Sequence, residues 1–361
     1  MLGMHIRRLT IKMNDGPKKI LIIKPSALGD VVTALPAVRC LGRTWPDAKI
    51  SWFIRPEYSA LVAENKYVDD IIVFDRKKLG KWWYQPAAFA ELWRLVRKLR
   101  KEKFDIVFDF QGRFRTAIFA WLSGSKKRIG IKGTQEFTRS FYTDGVDAKS
   151  DAIHLIDHYI EMVCFAGAKK CDVDFELTPS ADAAKSMRQK LGEKKVNAEK
   201  YMVFVLSSAI ESKCWPVENF AALADKLWKK YQMSIITTGV LAERAVSEKL
   251  QALTDSNVVG FAGDTTIAEL MAMLADARMV VSGDTGPGHI ASALGVPLVM
   301  MFGQTNPRRV GPYNRLGCFV AIGADNRSDA IESGNEAHDV KNITVEDVFE
   351  KICLQLDVSN S

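Results

Sequence analysis

Short runs of apolar, often β-branched residues alternate along the chain with longer stretches whose apolar residues recur at helical spacing. The short runs predict strands at 19–24, 49–54, 70–74 and 105–109 and, after a break, at 201–206, 234–238, 278–282 and 297–302. The longer stretches predict helices at 31–43, 87–103, 157–166, 217–231, 241–253, 267–275 and 344–356. Strands that are apolar throughout and separated by helices are typical of parallel sheets buried on both faces, so the pattern predicts an α/β fold.

The alternation stops between residues 167 and 200, where a short acidic run is followed by a Lys-rich helix. We interpret this stretch as the connection between two domains, because 361 residues are long for one domain and suit two. The predicted division is a first domain at 1–170, a second at 171–343 and a terminal helix at 344–361.

The charge is divided unevenly between these halves. The whole chain carries a net charge of +7, but residues 1–170 carry +13 and residues 171–361 carry −6. A basic half predicts an anionic partner such as nucleic acid, an acidic membrane surface or a phosphorylated substrate. We disfavour nucleic acid because the sequence has no recognition motif and its acidic half would repel a phosphate backbone.

The cysteines and the apolar runs bear on the compartment. Six scattered cysteines without a C-x-x-C pair predict reduced thiols in the cytoplasm, and the sparse histidines predict no zinc site. The N-terminus lacks the apolar core of a signal peptide, and the longest apolar run, 290–302, is too short to cross a bilayer. We therefore predict a cytoplasmic protein without a spanning helix, while peripheral membrane contact stays open.

The first predicted strand runs into a polar turn, KPSALGD at 24–30, that opens a helix. Ligands of α/β sheets bind at the carboxyl ends of strands, where helix N-termini present free N–H groups. Asp30 is interpreted either as an N-cap of this helix or as a side chain that faces a ligand. Neither G-x-G-x-x-G nor the P-loop motif occurs, which disfavours a dinucleotide-binding protein and a P-loop hydrolase.

A second loop, SGDTGPGH at 282–289, follows the strand at 278–282. Its glycines allow backbone N–H groups to face a ligand, Thr285 adds a hydroxyl, and the start of a helix favours an anion. The loop therefore predicts a phosphate or diphosphate site. A structural hydrogen bond is the alternative interpretation of His289.

Several segments together resemble glycosyltransferase family 9, whose best-known members are ADP-heptose:lipopolysaccharide heptosyltransferases. They are IKPSALGDVV (23–32), FDFQG (108–112), KCWP (213–216), DTGPGH (284–289), ALGVP (293–297) and FGQTNP (302–307). The resemblance extends from residue 18 to about 356. It implies a GT-B fold, in which two Rossmann-like domains with parallel sheets face each other across a cleft. It also implies an acceptor in the first domain, a nucleotide sugar in the second, and a last helix that crosses back to the first.

The implied reaction is an inverting transfer without metal or further cofactor, from a nucleotide sugar that is expected to be ADP-heptose. By resemblance, Asp30 is the base that activates the acceptor, and Lys213 contacts the diphosphate. A site without metal needs such a cation for the leaving group. Glu243 is expected to accept from the ribose hydroxyls. The complete predicted donor set is Ser207, Ser208, Lys213, Glu243, Asp284, Thr285, Gly286, Gly288 and His289.

The implied acceptor is inner-core lipopolysaccharide, with acidic sugars on a phosphorylated lipid. Guanidinium groups at strand ends suit carboxylates and phosphates, and the basic half of the chain fits such an acceptor. The predicted acceptor residues are Lys24, Ser26, Gln111, Arg113, Arg115 and Arg128.

Three questions stay open at this stage. Residues 82–84 (WWY) and the basic helix at 87–103 either contact anionic lipid at the cytosolic face of the inner membrane or pack on the sheet.

Two alternative functions also stay open. One is a nucleotide-sugar epimerase on the same GT-B scaffold, and the other is a non-catalytic sugar-nucleotide-binding module. The joint presence of Asp30, Lys213 and His289 argues against the module. We expect a monomer.

Overall fold

The computed structural model describes residues 16–131, 136–147, 154–208, 210–324, 327 and 330–358. The first of two six-stranded sheets has the order β3-β2-β1-β4-β5-β6, and its neighbouring strands are all parallel. Its strands are β1 (Lys19–Ile23), β2 (Lys49–Ile54), β3 (Asp70–Val73), β4 (Ile106–Asp109), β5 (Lys127–Ile131) and β6 (Asp144–Val146). This is the doubly wound order of a Rossmann domain.

The second sheet repeats that order and is also parallel, as β9-β8-β7-β10-β11-β12. Its strands are β7 (Tyr201–Val205), β8 (Ser234–Thr238), β9 (Val258–Gly260), β10 (Met279–Gly283), β11 (Leu298–Phe302) and β12 (Phe319–Ala321). The predicted α/β class and the two Rossmann-like domains are confirmed.

Helices connect the strands and cover both sheets. Those of the first domain are α1 (Leu28–Thr44), α2 (Arg76–Leu79), α3 (Pro86–Glu102), α4 (Phe114–Leu122) and α5 (Leu155–Phe165). Those that follow are α6 (Ala181–Glu193), α7 (Val217–Tyr231), α8 (Arg244–Leu253), α9 (Ile267–Ala275), α10 (Gly286–Leu294), α11 (Pro307–Val310) and α12 (Val345–Val358). Within the described ranges, no helix combines the length and apolar character needed to cross a bilayer.

The central strands are buried on both faces, which explains their unbroken apolar sequences. In β1, Ile20 and Ile22 belong to one core cluster, whereas Leu21 and Ile23 belong to another. Successive side chains of a strand point to opposite faces, so each face of the sheet has its own core.

Two helices begin earlier than their sequences predict. Helix α1 begins at Leu28, so Asp30 is in its first turn and is not the N-cap; the Asp30 carboxylate accepts a hydrogen bond from the N–H of Ala27 at 3.1 Å. Helix α10 begins at Gly286, inside the stretch 282–289 that the sequence predicts as a loop. Both candidate loops are therefore short, and the side chains of Asp30 and His289 project from first helical turns.

The connection between the domains runs along the first domain and differs from the prediction in two respects. Helix α6 packs against α9, so the second domain begins near residue 181. The extended residues before it lie against α1, where Arg39 donates to the carbonyl of Asp172 at 2.6 Å. This brings Cys171 beside Cys40, with Cα atoms 5.5 Å apart, and the two form a disulfide. The prediction of six reduced thiols is wrong for this pair.

The terminal helix α12 packs on the second domain. Val348, Ile352 and Leu356 share a core cluster with α7, and the Gln355 amide donates to the Leu298 carbonyl of β11 at 2.6 Å. The expected return of this helix to the first domain is wrong: its apolar side chains join the core beneath α7.

Candidate functional site

The two domains meet where helices α1 and α10 begin. Helix α1 follows β1 and α10 follows β10, so the carboxyl ends of two central strands face each other. The approach is close because each helix presents a glycine to a side chain of the other helix. A Cβ on Gly29 would lie 2.5 Å from Cδ2 of His289, and one on Gly286 would overlap the side chain of Leu28. This meeting point is the candidate active site.

Three predicted donor residues come together on the second-domain side of the site. The Lys213 ammonium forms an ion pair with Oδ2 of Asp284, and Nε2 of His289 lies 3.2 Å from Oδ1 of the same carboxylate. Asp284 is buried, and burial would raise the pKa of its carboxyl group. Hydrogen bonds and positive charge from His289 and Lys213 outweigh burial and hold that pKa below its usual range.

The start of α10 adds backbone donors to this cluster. Thr285 is the N-cap residue, but its hydroxyl pairs with the Ser282 hydroxyl at 2.7 Å, and no side chain of the described residues caps the helix. A nine-residue helix with an uncapped first turn suits an anion. The α-carbon of Gly288 faces the sheet, where a Cβ would lie 2.8 Å from Cε of Met300.

The remaining donor candidates follow the neighbouring strands β7 and β8. Ser207 and Ser208 come directly after β7, and the Ser208 hydroxyl accepts from the N–H of Ile210 at 3.3 Å, which is ordinary turn chemistry. Glu243 lies beyond the end of β8, where its carboxylate accepts from the N–H of Val240 at 2.9 Å. All three are therefore at the sheet edge that carries Asp284.

On the first-domain side, Asp30 lies above a buried lysine. The Nζ of Lys24 donates to the carbonyl of Phe110 at 3.2 Å and lies 3.6 Å from Oδ2 of Asp30. Burial would lower the pKa of Lys24, but the neighbouring Tyr159 and Asp30 raise it above its usual value. Lys24 is therefore a buried cation beneath Asp30. This position does not agree with the predicted contact between Lys24 and the acceptor.

A buried carboxylate that the sequence analysis missed supports the neighbouring loop. Asp109 ends β4 and is fully buried; it accepts from the N–H groups of Gln111 and Gly112 at 2.9 and 3.1 Å and from the Tyr142 hydroxyl at 2.8 Å. Burial raises the pKa of Asp109 despite these hydrogen bonds. The signal in the sequence is the single Asp inside the apolar strand of the FDFQG segment.

A polar pocket of about 290 Å³ opens beside Asp109 and is lined by several positively charged side chains. It brings together four predicted acceptor residues and two arginines that the sequence analysis missed: Ser26, Gln111, Arg113, Arg115, Arg55 and Arg76. Burial and the like charges of Arg76 and Arg113 lower the pKa of Arg115. Among the described residues, Arg76, Arg113 and Arg115 have no acidic partner within ion-pair distance. The pocket suits an anionic ligand.

Arg128 does not belong to this pocket. It is the second residue of β5, near the amino end of the strand, and therefore lies away from the carboxyl edge. Its guanidinium donates to the carbonyls of Phe141, at 2.7 Å, and Ser125. This position does not agree with the predicted acceptor role. The prediction went astray because the sequence analysis did not recognise β5.

Comparison with known proteins identifies the family. The model of glycosyltransferase family 9 (heptosyltransferase) matches residues 92–336, well over half of the chain. The chain belongs to glycosyltransferase family 9. It is 26% identical to the lipopolysaccharide core heptosyltransferase OpsX of Haemophilus influenzae, over 86% of each chain. It is 27% identical to lipopolysaccharide heptosyltransferase 1 of Pseudomonas aeruginosa, over 85% of this chain and 84% of that one. The chain is therefore a glycosyltransferase.

Solved structures show that this glycosyltransferase has the GT-B fold. The family 9 glycosyl transferase of Veillonella parvula superposes with a TM-score of 0.80 at 20% identity, covering 94% of this chain and 97% of that one. The Escherichia coli heptosyltransferase WaaC with ADP superposes with a TM-score of 0.76 at 21% identity, covering 93% and 99%. The GT-B fold that the sequence resemblance implied is confirmed.

Proposed function

We propose that this family 9 enzyme transfers a heptose from ADP-heptose to an inner-core lipopolysaccharide-type acceptor, by an inverting displacement that needs no metal ion. The observation that carries the proposal is the meeting of the two helix starts. There, Gly29, the neighbour of Asp30 in the first turn of α1, lies against His289, which belongs to the cluster of Lys213, Asp284 and His289 in the other domain. The names of the curated relatives support the sugar and the acceptor class.

The second domain would bind the donor. The uncapped start of α10, the Lys213 ammonium and the His289 ring suit the diphosphate. The Asp284 carboxylate lies between Lys213 and His289 and orients both side chains. It could also accept a hydrogen bond from a sugar hydroxyl. Glu243, at the edge beyond β8, is placed to accept from the ribose hydroxyls.

The first domain would supply the base. Oδ2 of Asp30 accepts from the N–H of Ala27 and faces Lys24, whereas Oδ1 has no partner among the described residues. In the proposed step, Oδ1 takes the proton of the acceptor hydroxyl while that oxygen bonds to the anomeric carbon. The bond between this carbon and the diphosphate oxygen breaks on the opposite face, so the configuration inverts. The negative charge that develops on ADP is stabilised by Lys213 and the N-terminus of α10.

The arginines of the polar pocket would orient the acceptor. Arg76, Arg113 and Arg115 carry donor groups that match carboxylates and phosphates. An acceptor of this kind is attached to lipid, so we place the enzyme in the cytoplasm at the inner face of the inner membrane, as a monomer without a nucleic-acid partner.

The experiment incubates the purified chain with ADP-heptose and an O-deacylated Kdo-lipid acceptor, with and without EDTA. We expect ADP release, one added heptose by mass spectrometry and an inverted anomeric centre by NMR, all unchanged by EDTA. Retention of configuration or loss of activity with EDTA would refute the mechanism. Conversion of a nucleotide sugar without acceptor would instead identify an epimerase, and donor binding without any product would identify a binding module.

A further inference from the structure

An apolar groove of about 540 Å³ lies in the first domain between α2, α3 and α4. Its walls are side chains of Phe74, Leu79, Trp82, Leu92, Ile118 and Leu122. Ligand sites of small molecules have this size and are mostly apolar, with a few polar groups that fix orientation. The roles proposed for Asp30 and the second domain make no use of this groove.

The groove opens into the polar pocket. Phe74, Arg76 and Arg115 line both spaces, so two guanidinium groups stand where the apolar walls end. Neither arginine has an acidic partner among the residues that the structure describes. A ligand that fills both spaces would be apolar along one part and anionic where it passes the arginines.

Aromatic side chains continue the apolar surface outside the groove. Trp82 is 50% exposed although it lines the groove, and the adjoining Trp83 and Tyr84 are 72% and 52% exposed. Tryptophan and tyrosine are amphipathic and are enriched where an apolar phase meets water. A rim of this kind fits a ligand that is drawn from a lipid layer better than a peptide, whose backbone would need hydrogen-bond partners that the apolar walls lack.

We propose that the apolar groove binds one acyl chain of an anionic lipid, whose phosphate group is held by Arg76 and Arg115. The charge at the mouth selects an anionic head group, and the walls select the chain. That this lipid is part of the sugar acceptor rests on the proposed function, whereas binding of the lipid does not.

The binding test uses monomeric alkyl phosphates below their micelle concentrations, titrated by calorimetry. Each methylene that enters an apolar site contributes a factor of about four in affinity, so octyl, decyl and dodecyl phosphate should differ by about 15-fold per step. Inorganic phosphate and neutral dodecyl maltoside should bind at least tenfold more weakly than dodecyl phosphate. An affinity that does not depend on chain length would overturn the proposal.

Matched variants locate the binding. Ile118→Gln places a polar group in the half-buried wall and should weaken dodecyl phosphate at least tenfold. Leu354→Gln, a similar change at an exposed site on α12, should have no effect. Arg115→Gln should remove the preference for the phosphate, while Arg94→Gln on exposed α3 should not. Thermal unfolding confirms that each variant folds. Equal affinities of Ile118→Gln and the unchanged chain would refute the groove as the site.

Transfer assays separate this proposal from the proposed function. Ile118→Gln should raise KM for an acylated acceptor and leave KM for its O-deacylated form unchanged. Equal effects on both acceptors would contradict an acyl-chain site. Binding of the chain to vesicles but not to monomeric alkyl phosphates would also contradict it. So would a dimer in sedimentation experiments whose second copy covers the groove. If transfer itself fails in the unchanged chain, alkyl phosphate binding is still expected.

Discussion

Substitution of Gly29 by alanine tests whether the contact between α1 and α10 is the active arrangement. The added Cβ would lie 2.5 Å from Cδ2 of His289, about 0.9 Å short of an ordinary contact distance of 3.4 Å. The His289 ring cannot simply rotate away, because its Nε2 is hydrogen-bonded to buried Asp284. Either the helices separate by nearly 1 Å or His289 leaves the diphosphate cluster.

The size of this displacement sets the expected loss of activity. A misplacement of about 1 Å in a positioned active site costs about 100-fold in rate, which equals about 2.7 kcal/mol of activation free energy. Alanine is favoured over glycine inside a helix by up to about 1 kcal/mol. Gly29→Ala should therefore lower kcat about 100-fold without a comparable fall in the free energy of unfolding.

The matched control is Gly192→Ala. Gly192 also lies inside a helix, α6, and its missing Cβ would meet no atom within 4 Å. Steady-state transfer kinetics and thermal unfolding are measured for both variants. Gly192→Ala should keep the activity of the unchanged chain. A folded Gly29→Ala enzyme with kcat within threefold of that chain would refute the closed contact as the catalytic arrangement.

Three further changes test separate parts of the site and the fold. Lys213→Met removes charge from the leaving diphosphate and should lower kcat by about 10²–10³; a change below threefold in steady-state kinetics would exclude that role. Tyr142→Phe leaves an oxygen of buried Asp109 without its donor and should cost about 1–3 kcal/mol in urea unfolding, and an unchanged midpoint would contradict this. Burial would raise the pKa of Glu269, but a salt bridge with Lys190 and hydroxyl hydrogen bonds lower it to about 2, from 4.5 unfolded. Because the folded pKa is the lower one, about 3 kcal/mol of stability should be present above pH 4.5 and lost as the pH falls towards 2; acid unfolding of Glu269→Gln should lack this loss.

The sequence predicted the central elements well because burial on both faces leaves a strong signal. Strand β8 and helix α7 agree with the prediction at both ends. Strand β5 and the edge strand β6 were not predicted, because lysine, arginine, aspartate and glycine interrupt their apolar runs. Helices α1 and α10 begin earlier than predicted because their first turns contain glycine, whose low helix propensity hides the start.

The candidate site was predictable where its residues stand next to a recognisable turn. Asp30 and His289 were found in this way. Arg55 and Arg76 were not, because no motif surrounds them and only the fold brings them to the polar pocket. The pairing of Lys213 with Asp284 likewise joins residues 71 positions apart, and such a contact leaves no trace in local sequence pattern.

The central claim is that Asp30 activates the acceptor for attack on a donor that the other domain holds. Asp30→Asn keeps the size of the side chain and removes its basic oxygen, so it tests the claim most directly. Calorimetric donor titration and single-turnover transfer are measured on the same preparation. We expect an ADP-heptose Kd within threefold of the unchanged chain and a transfer rate reduced by about 10²–10⁴. A transfer rate close to normal would show that another group is the base.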